Sequence, residues 1–181
     1  MPYQAVASDL HDFYILSGTG AATLVGLLFV GLSLHLRVVV AASEVRSLAR
    51  TTLANFGAVL FVCLFMVITE DRSAAALQLV GSGVVSLIIT APSLVMAARN
   101  GRSMEMRRLD RARLILRFGL SGVSYLAIIA AGVLLLLSLN SAFETTLVTA
   151  IVVLLVVSLR NTWDLLVTVG DVTLGDEQVK D

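Results

Sequence analysis

Five long apolar runs limit what this chain can fold into more than any other feature of its sequence. A transmembrane helix needs about 20 mainly apolar residues to cross the roughly 30 Å hydrocarbon layer of a bilayer. Five segments meet that requirement: residues 13–36, 52–69, 74–98, 114–139 and 142–169. Because 57% of the residues are hydrophobic and only 14% are charged, the chain is more apolar than a soluble domain of this size can bury. The sequence therefore predicts an all-α, polytopic transmembrane helical bundle.

The distribution of positive charge predicts how the five spans are oriented. Between residues 99 and 117 the chain carries seven arginines against only Glu105 and Asp110. Such a basic segment is expected to stay in the cytoplasm. Five spans then place the N-terminus outside and the C-terminus inside, with twelve of the thirteen basic residues on the cytoplasmic side. Residues 1–12 become an extracytoplasmic segment, residues 13–170 the membrane domain and residues 171–181 a cytoplasmic acidic tail.

Local signals predict several helix ends. Ser43 is a suitable N-cap for the second helix, which is expected to continue to about residue 69. Ser141 and Glu144 match the S-x-x-E capping box and predict the start of the fifth helix. Gly170 is expected to end that helix in a left-handed conformation, leaving a mobile tail. The fourth helix is expected to begin near Ser103, within the arginine-rich segment, and to continue into its span.

A polar stripe on the third span is the most suggestive functional pattern. Gln78, Ser82, Ser86 and Thr90 recur at every fourth residue, which places them along one helix face. The stripe could line a water-filled path. Alternatively, its small hydroxyl side chains bond to carbonyls one turn back and allow close packing of helices. Pro92, beside the stripe, is expected to kink the helix.

Two other patterns suggest packing between helices. Gly18, Ala22 and Gly26 recur at every fourth residue of the first span and remove bulk from one face, which favours close approach of another helix, in this chain or in another subunit. Asn55 in the second span is expected to hydrogen-bond to a neighbouring helix, although a role in binding a ligand is the alternative.

The basic segment and the end of the fifth helix suggest contacts at the membrane surface. The arginines are expected to lie at the inner leaflet, where they bind anionic lipid headgroups, or to bind the acidic surface of a partner protein. Arg160 and Asp164 are spaced to pair across one helical turn. The candidate lipid- or partner-binding residues are Arg102, Arg107, Arg108, Arg111 and Arg113.

The sequence contains little that indicates catalysis. No Asp, Glu, Lys, Arg or His lies near the middle of a predicted span, which argues against proton relays and ion-coupled carriers. His11 and His35 are expected at opposite membrane ends, and Cys63 is the only cysteine. No metalloprotease, P-loop or dinucleotide-binding motif is present. We therefore expect no catalytic, cofactor or metal site, and no nucleic-acid partner.

Two segments carry a resemblance to known proteins. The run SGTGAATLVGLLFVGLSL from Ser17 to Leu34 and the run RNTWDLL from Arg160 to Leu166 resemble a group of small bacterial multi-span membrane proteins. That group has no established activity. The resemblance implies a multi-pass protein of the bacterial cytoplasmic membrane and nothing about mechanism.

Two functions follow as expectations. The first is a non-enzymatic structural or regulatory membrane component that associates with itself or with another membrane protein through small-residue helix faces. The alternative is a homo-oligomeric channel for cations or small neutral solutes, lined by the stripe of Gln78, Ser82, Ser86 and Thr90 on the third span.

Overall fold

The computed structural model describes residues 10–34, 43–69, 71–100 and 119–178. It leaves aside the side chains of residues 43–44, 93–94, 96–100, 168–169 and 171–178. The described part contains five α-helices and no strand, so the predicted all-α fold is confirmed. In chain order the helices are α1 (His11–Leu34), α2 (Ser43–Ile68), α3 (Arg72–Asn100), α4 (Leu120–Leu136) and α5 (Asn140–Gln178).

Four of these helices, α1, α2, α3 and α5, are long and apolar enough to cross a membrane. The helix α4 is equally apolar but has 17 described residues, which is shorter than a full span. Residues 114–118 of the predicted fourth span lie outside the described ranges. A count of five spans therefore stays a prediction, whereas four helices of spanning length are a property of the fold.

The surface of the bundle is strongly apolar. Large hydrophobic side chains are exposed on every helix, among them Leu16 at 75%, Phe29 at 66%, Leu77 at 74% and Leu126 at 57%. Soluble monomers rarely expose contiguous apolar surface on this scale. An apolar surface of this kind is stable in contact with lipid chains. Lipid chains are as apolar as these side chains, so burying the surface away from lipid would bring no hydrophobic gain.

The helices pack so that α2 lies at the centre of the bundle. It contacts α1, α3 and α5, while α4 packs between α3 and α5. Phe56, Val59 and Val62 of α2 are fully buried and form the middle of the core. Because α1 contacts α2 mainly and α5 only weakly, it has the least covered surface of the helices.

The α2–α3 and α4–α5 connections meet at one end of the bundle, which we call the Arg72 end. Asp71 caps α3, because its Oδ2 accepts a hydrogen bond from the backbone N–H of Ala74 at 3.1 Å. The guanidinium of Arg72 donates from Nε to the carbonyl oxygen of Leu135 at 2.7 Å and from Nη2 to Oδ1 of Asn140 at 3.3 Å. This one side chain thus joins the start of α3 to the end of α4 and the start of α5.

The turn after α4 has the geometry of a Schellman motif. The N–H of Leu139 bonds to the carbonyl of Leu134 at 3.1 Å, and the N–H of Ser138 bonds to the carbonyl of Leu135 at 3.2 Å. Ser138 occupies the left-handed position with φ of 66°. Glycine is the usual residue there, because a Cβ is strained in that conformation.

The ends of α5 differ from the sequence expectations. The helix begins at Asn140, and the N–H of Phe143 already bonds to the carbonyl of Leu139 at 2.9 Å. Ser141 therefore lies within the first turn instead of capping it. At the other end the backbone remains helical through Gly170 to Gln178, and no described glycine has a positive φ. The predicted stop at Gly170 is wrong, because glycine adopts the right-handed conformation as readily as the left-handed one.

Candidate functional site

A groove lies between α2 and α3 on the described surface. It has a volume of about 700 Å³ and is open on one side of the bundle. Its walls are largely apolar: Leu53, Phe61 and Phe65 of α2 face Val85 and Ile89 of α3. A cavity of this size and composition falls within the range of small-molecule sites.

Two glycines keep the groove wide. Gly57 of α2 and Gly81 of α3 both line it, and a Cβ added at either position would meet nothing within 4 Å. Any larger side chain at these positions would project into open space that is now part of the groove. The groove therefore results from the absence of side chains at these two positions as well as from the separation of the two helices.

The predicted polar stripe of α3 lies mostly along this groove. Gln78, Ser82 and Ser86 are lining residues. Thr90 is buried, and its hydroxyl donates to the carbonyl of Ser86 at 2.7 Å, which is the back-bonding expected of a hydroxyl residue in a helix. Gln78 is tied to the Arg72 end, since its Oε1 accepts a hydrogen bond from the hydroxyl of Thr69 at 2.6 Å. The structure thus brings three stripe residues together in one cavity and places the fourth in the helix packing.

Arg50 lines the opposite end of the groove. Its side chain is exposed, and Arg46 lies exposed one turn nearer the start of α2. Three acidic side chains that the structure describes, Asp12, Asp71 and Glu144, lie on the helix ends at the Arg72 end. We call the other end of the bundle the Arg50 end. The groove consequently runs from a polar amide near one end, past two serines, to a cation at the other.

A separate polar cluster lies in the core between α2 and α4. The Nδ2 of Asn55 donates to the hydroxyl of Ser121 at 3.0 Å, and the hydroxyl of Tyr125 donates to Oδ1 of Asn55. All three side chains are completely buried. The prediction that Asn55 bonds to a neighbouring helix is confirmed. The amide thus has one donated and one accepted hydrogen bond, both to α4, so the cluster links α2 to α4.

The small-residue row of α1 divides between the core and the surface. Gly18 is buried, and a Cβ added to it would lie 3.0 Å from Cβ of Cys63 on α2. Ala22 is exposed, and a Cβ added at Gly26 would meet nothing within 4 Å. Gly18 therefore serves the α1–α2 contact, while Ala22 and Gly26 lie on a face that the described helices leave open.

Sequence reasoning missed a tight contact between α3 and α4 that two glycines permit. A Cβ added at Gly132 would lie 2.9 Å from the carbonyl oxygen of Ala76, and one added at Gly83 would lie 3.0 Å from that of Tyr125. These glycines are on different helices and form no repeat within either one. The sequence signal that could have indicated this contact was a glycine in each of two apolar spans that follow one another along the chain.

The remaining predicted surface sites are only partly described. The candidate lipid-binding arginines between residues 102 and 113 lie outside the described ranges. On α5, Arg160 is exposed and Asp164 is half-buried one turn further along. Their spacing allows the predicted pair, which stays a prediction. Trp163, between them, is 69% exposed, as expected for a residue at a lipid headgroup boundary.

The charged side chains that the structure describes lie outside the core. No described Asp, Glu, Lys, Arg or His is buried, and the described residues contain no cluster of three His, Cys, Asp or Glu that could hold a metal ion. Comparison of the chain with protein-family models, curated proteins and solved structures finds no match.

Proposed function

We propose that the protein is a five-span, non-enzymatic component of the bacterial cytoplasmic membrane, with its N-terminus outside and its C-terminus inside. Its role is structural or regulatory, and it acts by associating with lipid and with other helices. The observation that carries the proposal is the separation of charge: the described Asp, Glu, Arg and His side chains lie towards the two ends of a bundle whose outer surface is largely apolar. Polytopic membrane proteins have this arrangement because a charge at the bilayer centre is costly.

Charge also supports the orientation. Arg46, Arg50 and Arg160 lie exposed at the Arg50 end. At the opposite end the described basic residue is Arg72, whose guanidinium bonds to Leu135 and Asn140 within the bundle. Solvent-facing positive charge is thus concentrated at the Arg50 end, which the positive-inside tendency assigns to the cytoplasm.

Cysteine labelling tests the orientation. In a Cys63→Ala background, which removes the only native cysteine, Ser141→Cys and Lys180→Cys provide one probe at each expected side. A membrane-impermeant maleimide added to intact cells is expected to label Ser141→Cys and to label Lys180→Cys only after lysis. The reverse pattern would refute the orientation. Labelling of both variants in intact cells would refute a membrane crossing by α5.

The open face of α1 supports association with a further helix. Ala22 and Gly26 lie on this face, and small residues allow the close backbone approach that stabilises helix pairs in lipid. Ala22→Leu is expected to weaken self-association or partner binding, measured by crosslinking in membranes. Ala130→Leu, on an exposed position of α4, is the matched control. Equal crosslinking of the unmodified protein and of both variants would show that association does not use this face of α1.

A homo-oligomeric channel is the second candidate. It is favoured by one observation, namely that Gln78, Ser82 and Ser86 line a common groove. The groove opens sideways, so several copies would have to enclose it to form a path. Under this hypothesis the purified protein conducts cations or small neutral solutes in liposomes and Ser86→Leu abolishes the flux. Absence of flux with the unmodified protein would refute the channel.

A further inference from the structure

The groove between α2 and α3 has a cation at one end, hydroxyl groups in its wall and an apolar remainder. Each of these features corresponds to one part of a phospholipid. We propose that the groove is a binding site for a single anionic phospholipid, with the phosphate on Arg50 and one acyl chain lying between the two helices. The inference rests on the proposed membrane location and adds a ligand to it.

The position of Arg50 fits a headgroup. At 1.5 Å per residue, Arg50 lies roughly 27 Å along α2 from the Arg72 end, close to the roughly 30 Å thickness of the hydrocarbon layer. The end of the groove at Arg50 is therefore at a headgroup boundary when the opposite end is at the other one. Basic pockets between transmembrane helices are known to bind anionic headgroups at this depth. Under the proposed orientation, this is the cytoplasmic leaflet.

The length of the groove fits an acyl chain. Along α2, Phe61 lies roughly 16 Å from Arg50, which is about the thickness of one leaflet of the hydrocarbon layer. Leu53, Phe61 and Val85 supply apolar contacts over that distance. A chain anchored at Arg50 thus reaches the phenylalanine side chains without leaving the groove.

The serines occupy the level of the glycerol esters. Counted from the start of α3, Ser86 lies roughly 21 Å from the Arg72 end, about one helical turn further into the membrane than Arg50. Ester carbonyls of a phospholipid lie just inside its phosphate and accept hydrogen bonds. The Ser86 hydroxyl is the donor at that level, and Ser82 lies one turn deeper along the same wall.

A partner helix is the competing occupant of an apolar groove. Arg50 argues against it, because an apolar transmembrane helix seated over this side chain would cover a positive charge without compensating it. A lipid phosphate compensates the charge while its chain fills the apolar part. Charge complementarity therefore favours the lipid, and the experiment separates the two occupants.

Quenching of tryptophan fluorescence by brominated lipids tests the site. Trp163 is the only tryptophan, so Trp163→Phe gives a silent background. Phe61→Trp then reports lipid in the groove, and Leu126→Trp reports bulk lipid on an exposed face of α4. Each protein is reconstituted in vesicles that mix phosphatidylglycerol with phosphatidylcholine, with bromine on one lipid at a time. The ratio of quenching gives the relative affinity at each probe.

Phe61→Trp is expected to report about a fivefold preference for phosphatidylglycerol, the effect of one arginine near an anionic lipid. Leu126→Trp is expected to report a ratio near one. Adding Arg50→Gln to the groove probe should remove the preference. Arg46→Gln, which removes another exposed arginine that does not line the groove, should retain it. Ser86→Ala should weaken the binding of both lipids at the groove probe while leaving the ratio of their affinities unchanged.

Three results would overturn the inference. Equal affinities at Phe61→Trp would mean that the groove contains bulk lipid without selection by charge. The same preference for phosphatidylglycerol at Leu126→Trp would show that the whole exposed surface of the bundle selects this lipid. Absence of quenching at Phe61→Trp by either lipid would show that a second copy or another helix covers the groove. Because both vesicle leaflets have the same composition, an inverted topology would leave these results unchanged and would be detected separately by the labelling experiment.

Discussion

The contact between α3 and α4 gives the sharpest test of the fold, and Gly132→Ala is the substitution that probes it. The added Cβ would lie 2.9 Å from the backbone carbonyl oxygen of Ala76 and 2.8 Å from Cγ2 of Val80. A backbone carbonyl cannot rotate away as a side chain can, so the two helices must separate. Overpacking of this kind costs about 1–3 kcal/mol.

Alanine favours a helix more than glycine does, and this gain partly offsets the cost of overpacking. A matched variant with the same gain cancels it from the comparison. Gly26→Ala makes the same chemical change on α1, where the new Cβ would meet nothing within 4 Å. Each substitution gains about 0.5–1 kcal/mol from the lower entropy of the unfolded chain. The free energy of unfolding of Gly132→Ala should therefore be about 1–3 kcal/mol below that of Gly26→Ala.

The free energy of unfolding is measured for both variants by titrating sodium dodecyl sulfate into protein held in a mild detergent and following the loss of helix by circular dichroism. Gly83→Ala, whose added Cβ would lie 2.5 Å from Cγ1 of Ile129 and 3.0 Å from the carbonyl oxygen of Tyr125, should also be less stable than Gly26→Ala. Equal stability of Gly132→Ala and Gly26→Ala would show that α3 and α4 do not approach this closely, and the arrangement of those helices would have to be revised.

Three further substitutions test individual interactions. Tyr125→Phe removes the hydrogen bond to Asn55 and should lower the free energy of unfolding by about 0.6–1.7 kcal/mol, the range for bonds between membrane helices. Ser138→Gly relieves the left-handed strain after α4 and should raise it by about 1 kcal/mol. Arg72→Gln removes charge-assisted bonds, including the one to the carbonyl of Leu135, and should lower it by about 1.5–3 kcal/mol. The same detergent titration measures all three.

Each of these substitutions has a control in the chain. Ser124→Ala removes a hydroxyl next to Tyr125 that bonds within its own helix, to the carbonyl of Leu120, and should change stability less than Tyr125→Phe. Ser141→Gly, inside the first turn of α5, should destabilise where Ser138→Gly stabilises. Arg160→Gln, on an exposed side chain, should have little effect. A control that changes stability as much as its test variant would contradict the corresponding interaction.

The sequence could indicate the long apolar helices because spanning length and hydrophobicity are properties of each segment alone. The same is true of the need of Asn55 for a partner on another helix, because a buried amide has to be hydrogen-bonded. The ends of α5 were harder to predict. Ser141 has the sequence spacing of a capping residue. However, the turn before α5 is closed by hydrogen bonds that the backbone N–H groups of Ser138 and Leu139 donate, and these bonds do not depend on that spacing.

By itself, the sequence determined that this chain forms long apolar helices with charge at their ends, since hydrophobicity and charge act along the chain before any packing occurs. Only the tertiary structure decided which helix faces meet. It placed the unrepeated Gly83 and Gly132 in the tight contact between α3 and α4 and left Ala22 and Gly26 exposed, because contact depends on complementary shapes of two helices. It also placed Arg50 of α2 and Ser86 of α3 along one groove. Neither helix contains that groove alone, because its walls come from both α2 and α3 and from the space left by Gly57 and Gly81.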